Sequence, residues 1–161
     1  MIKCILENGH ETSFRHVTVG SIAVNEKNEV LLIKRGPNLL RGNKYSVPGG
    51  FLDRDENLEE GALREFKEET GYSGKIEVLF QINDSPKRPK EDRQNVDFVF
   101  IVKVVSGEMI LNDEVTNIHW FAKSDLPKEE DFAFDHRAII LRYFEYLGKS
   151  FSLPIVGQVN L

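Results

Sequence analysis

The stretch REFKEETGY, residues 64 to 72, sets three glutamates, Glu65, Glu68 and Glu69, at helical spacing. Residues three and four apart on a helix are neighbours, and like charges there cost roughly 0.2–0.5 kcal/mol per pair. Such a helix tolerates the crowding if the carboxylates are solvated, or if something positive belongs among them. Its limits are legible. Asn57 followed by Glu60 makes a capping-box start and Gly71 a left-handed stop, predicting a helix over Leu58 to Thr70. At about 100° per residue, Leu58, Ala62, Leu63 and Phe66 share one apolar face, and the three glutamates fill an arc that abuts it. Glu69 points almost between Leu58 and Ala62, so the acidic arc flanks the core rather than opposing it. Gly61 lies one turn before Glu65. A helix-interior glycine costs roughly 1 kcal/mol against alanine, which predicts close approach of backbone or ligand there. The arc is either a solvated face or a site for a hard divalent cation, which takes carboxylate oxygens, water and substrate phosphate.

The rest of the chain is mostly strand. HVTVGSIAV (16–24) and VLLIKR (30–35) flank the polar turn NEKNE and predict a hairpin, while residues 36–50, rich in Gly and Pro, predict mostly loop. Further strands are expected over 75–84, 95–105 and 117–122. Residues 135–148 carry the stripe Ile140, Tyr143, Phe144 and Leu147 of an amphipathic helix, with Asp135 as N-cap and Gly148 as stop. The expected class is α+β, one domain over 1–161 with its core at about 15–148 and a tail over 149–161. The tail is apolar enough to pack on a neighbouring subunit, which permits a homodimer. A formal charge of −5 argues against a nucleic-acid surface but not against a phosphorylated small molecule, since a metal ion can supply positive charge. Cys4 is the single cysteine and no apolar run has membrane-spanning length, so no internal disulfide, no membrane and a cytoplasmic setting are expected.

The stretch from Gly50 to Tyr72, GFLDRDENLEEGALREFKEETGY, resembles the signature box of the Nudix hydrolase family, G-x5-E-x7-R-E-U-x-E-E-x-G-U. Gly50, Glu56, Arg64, Glu65, Glu68, Glu69 and Gly71 occupy its fixed places. Phe66 and Tyr72 fill apolar places where aliphatic residues are commoner. The resemblance implies a mixed sheet sandwiched between helices, an α/β/α arrangement. It implies hydrolysis of a nucleoside diphosphate linked to another moiety, with Mg²⁺ or Mn²⁺. On the family pattern Glu65, Glu68, Glu69 and the carbonyl of Gly49 would be metal ligands, and Arg64 would hold a glutamate in place. Glu56 would lie close to the metal site, or serve only to anchor loop to helix. Glu114, in the loop before a strand, is the candidate base against the reading of a solvated turn residue, with Asp113 as fallback.

Arg35 and Arg41 are candidate phosphate contacts, since guanidinium matches phosphate geometry, or else ordinary surface arginines. The excursion 85–94, with Lys87, Arg88, Lys90, Glu91, Asp92 and Arg93, has the mixed charge of a solvated loop that could lid a site. His119 is expected to be structural. The element Phe134-Asp135-His136 resembles one in Nudix proteins of the ADP-ribose pyrophosphatase type, although helix capping explains the same residues. Phe80, Phe98, Phe100 and Trp120 could stack on a base, but strand aromatics are more often core. Three functions compete: hydrolysis of ADP-ribose or a related nucleotide sugar, pyrophosphohydrolysis of damaged nucleoside triphosphates, and non-catalytic sensing of a nucleotide derivative.

Overall fold

The structure is a computed structural model and describes residues 2–88, 94–149 and 151–157. In chain order it runs β1 (Ile2–Ile5), β2 (Glu11–Phe14), β3 (Val17–Val24), β4 (Val30–Arg35), β5 (Tyr45–Ser46) and β6 (Gly49–Phe51). There follow α1 (Leu58–Thr70), β7 (Tyr72–Asn83), β8 (Val96–Gly107), β9 (Val115–Phe121), α2 (His136–Gly148) and β10 (Ile155–Val156). Side chains alternate across a strand, so a strand apolar at every position must be covered on both faces. That is the case here. Ile22, Val30, Leu32, Val99 and Ile101 pack with Ile139, Ile140, Tyr143 and Phe144 of α2. Their alternates Ala23, Leu31, Ile33, Phe100 and Val102 pack with Ala62 and Phe66 of α1. The result is the expected α+β sandwich, two helices on opposite faces of a mixed sheet ordered β10-β7-β8-β3-β4-β5, with β6 joined to β3 and β9 to β4.

Helix α1 begins and ends where its caps predict. The Asn57 side chain accepts from Glu59 and Glu60 N–H, Glu60 answers to the Asn57 N–H, and Gly71 takes φ 77°. Gly61 is approached closely by side chains of the β6–α1 loop: a Cβ there would stand 2.8 Å from both Glu56 Oε1 and Leu52 Cδ1.

Some local expectations hold and others change. The predicted hairpin 16–35 forms, β3 pairing antiparallel with β4, with its register at the turn end, where Val24 pairs with Val30. Beyond it β3 takes β8 as a parallel neighbour along its whole length and β6 on the other edge, and β4 takes β9. Residues 36–50 are mostly loop as predicted, with β5 and the start of β6 set within them. An N-terminal hairpin, β1 with β2, forms its own two-stranded sheet. Leu147 is 47% exposed and leaves the α2 stripe, and Asp135 sits at the N-cap without a capping bond. Described tail residues fold back on their own chain. Ile155 and Val156 pair parallel with β7, and Leu153 and Ile155 pack on the α2-side core. Phe80 and Phe100 are core, at 0% and 3% exposure, so neither offers a face to a ligand. Lys90, Glu91, Asp92 and Arg93 lie outside the described residues. Among the described residues no helix is long and apolar enough to cross a membrane.

Candidate active site

A cavity of about 440 Å³ opens between the start of β3, the β5–β6 segment, the acidic face of α1 and the N-terminus of α2. Glu65, Glu69, Glu114, Gly49 and Arg35 all line it, which brings together segments far apart in sequence. Glu69 is 6% exposed, and its Oε2 accepts from the Gly49 N–H at 2.7 Å. Burial pushes its carboxyl up to about 8, and the charges of Glu65 and Glu114 add to that, against the Gly49 bond and Arg35. Glu65 is likewise raised, chiefly by burial, with Glu68 and Glu114 contributing.

Arg64 organises the flank. Its guanidinium forks onto Glu56, Nη2 to Oε1 at 2.6 Å and Nε to Oε2 at 2.9 Å. Nη1 donates to Glu65 and Glu68 at 3.0 Å each, and Nη2 also reaches the Phe51 carbonyl at 3.1 Å. Charge-assisted forks of this kind are strong and directional. The bonds from Arg64 hold the Glu56 carboxyl down at about 2, and the same bonds raise the guanidinium. Glu56 also accepts from the Asp53 N–H at 2.8 Å, which ties the β6–α1 loop to the helix. Glu68 is the outermost of the three, its side chain 60% exposed. Among the described residues no three His, Cys, Asp or Glu side chains already stand grouped as a metal site, and Arg64 pairs with both Glu65 and Glu68.

Glu114 is placed by backbone bonds. Its N–H donates to Asn112 Oδ1 and its carbonyl accepts from Gly36. Asp113 precedes it and does not line the cavity. Arg35 donates to the Leu40 carbonyl at 3.0 Å, with its guanidinium 5.6 Å from the Phe134 ring centre. Arg41 is exposed, at φ 58°, and does not line the cavity. His119 is exposed on β9, away from it.

The far wall was not foreseen. Arg88, expected on a solvated loop, is 6% exposed and forks onto Asp135, Nη2 to Oδ1 at 2.6 Å and Nε to Oδ2 at 3.0 Å. Its Nη2 also stands 3.5 Å from Asp97. Burial opposes ionisation of Asp135, but Arg88 outweighs it and leaves that carboxyl lowered. His136 Nδ1 accepts from the Val47 N–H at 3.2 Å, and burial pushes the ring down to about 4. The available signal was Asp97, a carboxylate inside the otherwise apolar run VDFVFIV, together with the Phe-Asp-His element.

Comparison with known proteins bears on this arrangement. The model of the family described as NUDIX domain matches residues 14–143. The chain is 37% identical over 134 residues to the ADP-ribose pyrophosphatase of Methanocaldococcus jannaschii, covering 83% of this chain and 76% of that protein. It is 31% identical over 107 residues to a putative 8-oxo-dGTP diphosphatase of Bacillus subtilis, covering 66% of each. Among solved structures, a NUDIX hydrolase from Nitrosomonas europaea superposes with a TM-score of 0.78 at 24% identity, over 97% of this chain and 92% of that one.

Proposed function

The chain belongs to the NUDIX family of hydrolases, and from that premise we propose that it cleaves the diphosphate of ADP-ribose or a related nucleotide sugar, with Mg²⁺ or Mn²⁺ as cofactor. The observation that carries the reading is Glu69. A carboxylate is buried at the floor of a cavity with Glu65 and Glu114 beside it and Arg35 at the rim, a group whose ionisation requires positive charge nearby.

The donor chemistry fits a hard divalent ion, since Glu65, Glu68, Glu69 and the Gly49 carbonyl all offer oxygen. Glu65, Glu68, Glu69 and the Gly49 carbonyl would hold it, with Glu65 and Glu68 turning from Arg64 to do so. When bound, the ion compensates diphosphate charge and makes water easier to deprotonate. Arg64 is then a positioning residue, keeping Glu56 and the β6–α1 loop in place through its fork. Arg35 faces the diphosphate. Glu114, which lines the cavity where Asp113 does not, takes the proton of the attacking water. The water oxygen bonds to one phosphorus as the bridging phosphorus–oxygen bond breaks, giving AMP and ribose 5-phosphate from ADP-ribose. Positioning and electrostatic stabilisation carry such a transfer.

Similarity to a putative 8-oxo-dGTP diphosphatase favours a second reading, pyrophosphohydrolysis of a nucleoside triphosphate. A panel of ADP-ribose, nucleotide sugars and nucleoside triphosphates, with Mg²⁺ and product identification, separates the two. AMP with ribose 5-phosphate is expected. Nucleoside monophosphate with pyrophosphate as the dominant product would install the second reading, and tight binding without turnover would make the domain a sensor.

A further inference from the structure

Glu65 and Glu69 share one helix, but Glu114 reaches their cavity from the connection between β8 and β9. It is exposed there, and both helix carboxyls feel its charge. Like charges repel, so an untethered Glu114 would swing towards water and away from the site. A general base works only within hydrogen-bond reach of the proton it takes. Something must hold the loop.

The tether is Asn112. Its Oδ1 accepts from two successive backbone N–H groups, those of Glu114 at 2.9 Å and Val115 at 2.8 Å. Its own N–H donates to the Val115 carbonyl at 3.1 Å. Asparagine side chains often close turns in this way, and a turn that only started β9 would need no more. Asn112 does more. Its Nδ2 donates to the Glu68 carbonyl at 3.2 Å, across 44 residues, so one amide spans the Glu114 loop and the last turn of the acidic helix. That carbonyl is among the final four of α1, which have no partner within their own helix. Beside it the Ile110 N–H donates to the Thr70 carbonyl at 3.1 Å. On the other side of the loop the Gly36 N–H donates to the Glu114 carbonyl at 2.7 Å, and a Cβ on Gly36 would collide with the Asp113 carbonyl. The loop is thus seated between the strand end that carries Arg35 and the helix that carries Glu65 and Glu69.

We infer that Asn112 is a positioning residue for the hydrolysis, its side-chain amide fixing Glu114 relative to the acidic face of α1. Asn112 does not itself line the cavity and acts through Glu114. The inference rests on the role given to Glu114 in the function proposed above.

A double-mutant cycle with ADP-ribose and Mg²⁺ tests it. Asn112→Ala is expected to lower kcat about tenfold with KM within about twofold, since geometry and not binding is lost. Glu114→Gln lowers kcat on its own. Adding Asn112→Ala to it is expected to cost less than about twofold more, because no base is left to hold. Asn112→Ser, whose hydroxyl can still accept from an N–H two or three residues on, is expected to lose less than Asn112→Ala. It takes the place of Asn112→Ala in the cycle should that variant fail to fold. Losses that multiply in the double variant mean that Asn112 acts on the fold at large and overturn the inference, as does an Asn112→Ala enzyme with unchanged kcat. Glu114→Gln with unchanged kcat also overturns it, and leaves ADP-ribose hydrolysis standing. Cleavage of a nucleoside triphosphate but not of ADP-ribose sinks the proposed function alone, and the same cycle run on the triphosphate then decides the inference. A protein that turns over neither sinks both.

Discussion

Glu69 concentrates the chemistry of the site in one side chain. It is 6% exposed, it holds one backbone N–H, and it is raised to about 8 by burial and by Glu65 and Glu114. Replacing it by Gln keeps an oxygen to accept from the Gly49 N–H and removes only the charge. Glu69→Gln is therefore expected to lower turnover by about a hundredfold or more while folding normally, with a melting temperature in EDTA equal to or above that of the unaltered protein. Steady-state kinetics with Mg²⁺ and a thermal melt read both outcomes. Unchanged turnover in the folded variant rejects Glu69 as a ligand. The burial of Glu69 was legible from the helical wheel, because it depends on its own helix. That of Arg88 was not. Its partner Asp135 is 47 residues away, and no local pattern announces that pairing.

At the scale of elements the same division holds. Helix α1 was legible to its last residue because both caps are made by neighbours in sequence, Asn57 with Glu60 and Gly71 with the Lys67 carbonyl. The β3–β4 hairpin was legible from its turn, but the further partners of those strands were not, because they are chosen by the whole sheet. Val17–Val24 pairs with Val96–Lys103, a parallel register that no turn signal encodes. Gly71 shows how strictly a local signal can bind. A Cβ there would combine a left-handed φ of 77° with collision against the Glu108 carbonyl, in the segment that follows β8. Gly71→Ala is expected to destabilise the protein by at least about 1–2 kcal/mol, beyond the usual cost of a side chain at positive φ, because backbone must also move. A urea midpoint corresponding to a loss below about 0.5 kcal/mol would contradict the collision. Turnover per folded molecule should fall as well, since Gly71 closes the turn that carries Glu68 and Glu69.

Taken whole, the molecule sets Glu69, buried, and His136, half-buried, on opposite walls of one cavity, and their linkages to folding have opposite signs. His136 is lowered from 6.5 to about 4, so between those values the unfolded chain binds the extra proton and stability rises with pH. Glu69 is raised from 4.5 to about 8, so over that window the folded chain binds the extra proton and stability falls as pH rises. Between about 4.5 and 6.5 the two effects oppose each other. Above 6.5 the histidine contribution is complete and only the carboxylate remains. Metal-free protein is therefore expected to lose stability from about pH 6.5 to pH 8, by an amount on the order of a few kcal/mol. Urea midpoints in EDTA across that range measure it. A divalent cation that binds ionised Glu69 cancels the decline, so Mg²⁺ should raise the midpoint more at pH 8 than at pH 6.5. Glu69→Gln should abolish the decline and most of the Mg²⁺ effect together. If the EDTA midpoint is flat in the unaltered protein, or if Mg²⁺ stabilises equally at both pH values, the buried carboxylate is not the group to which cation binding and folding are linked.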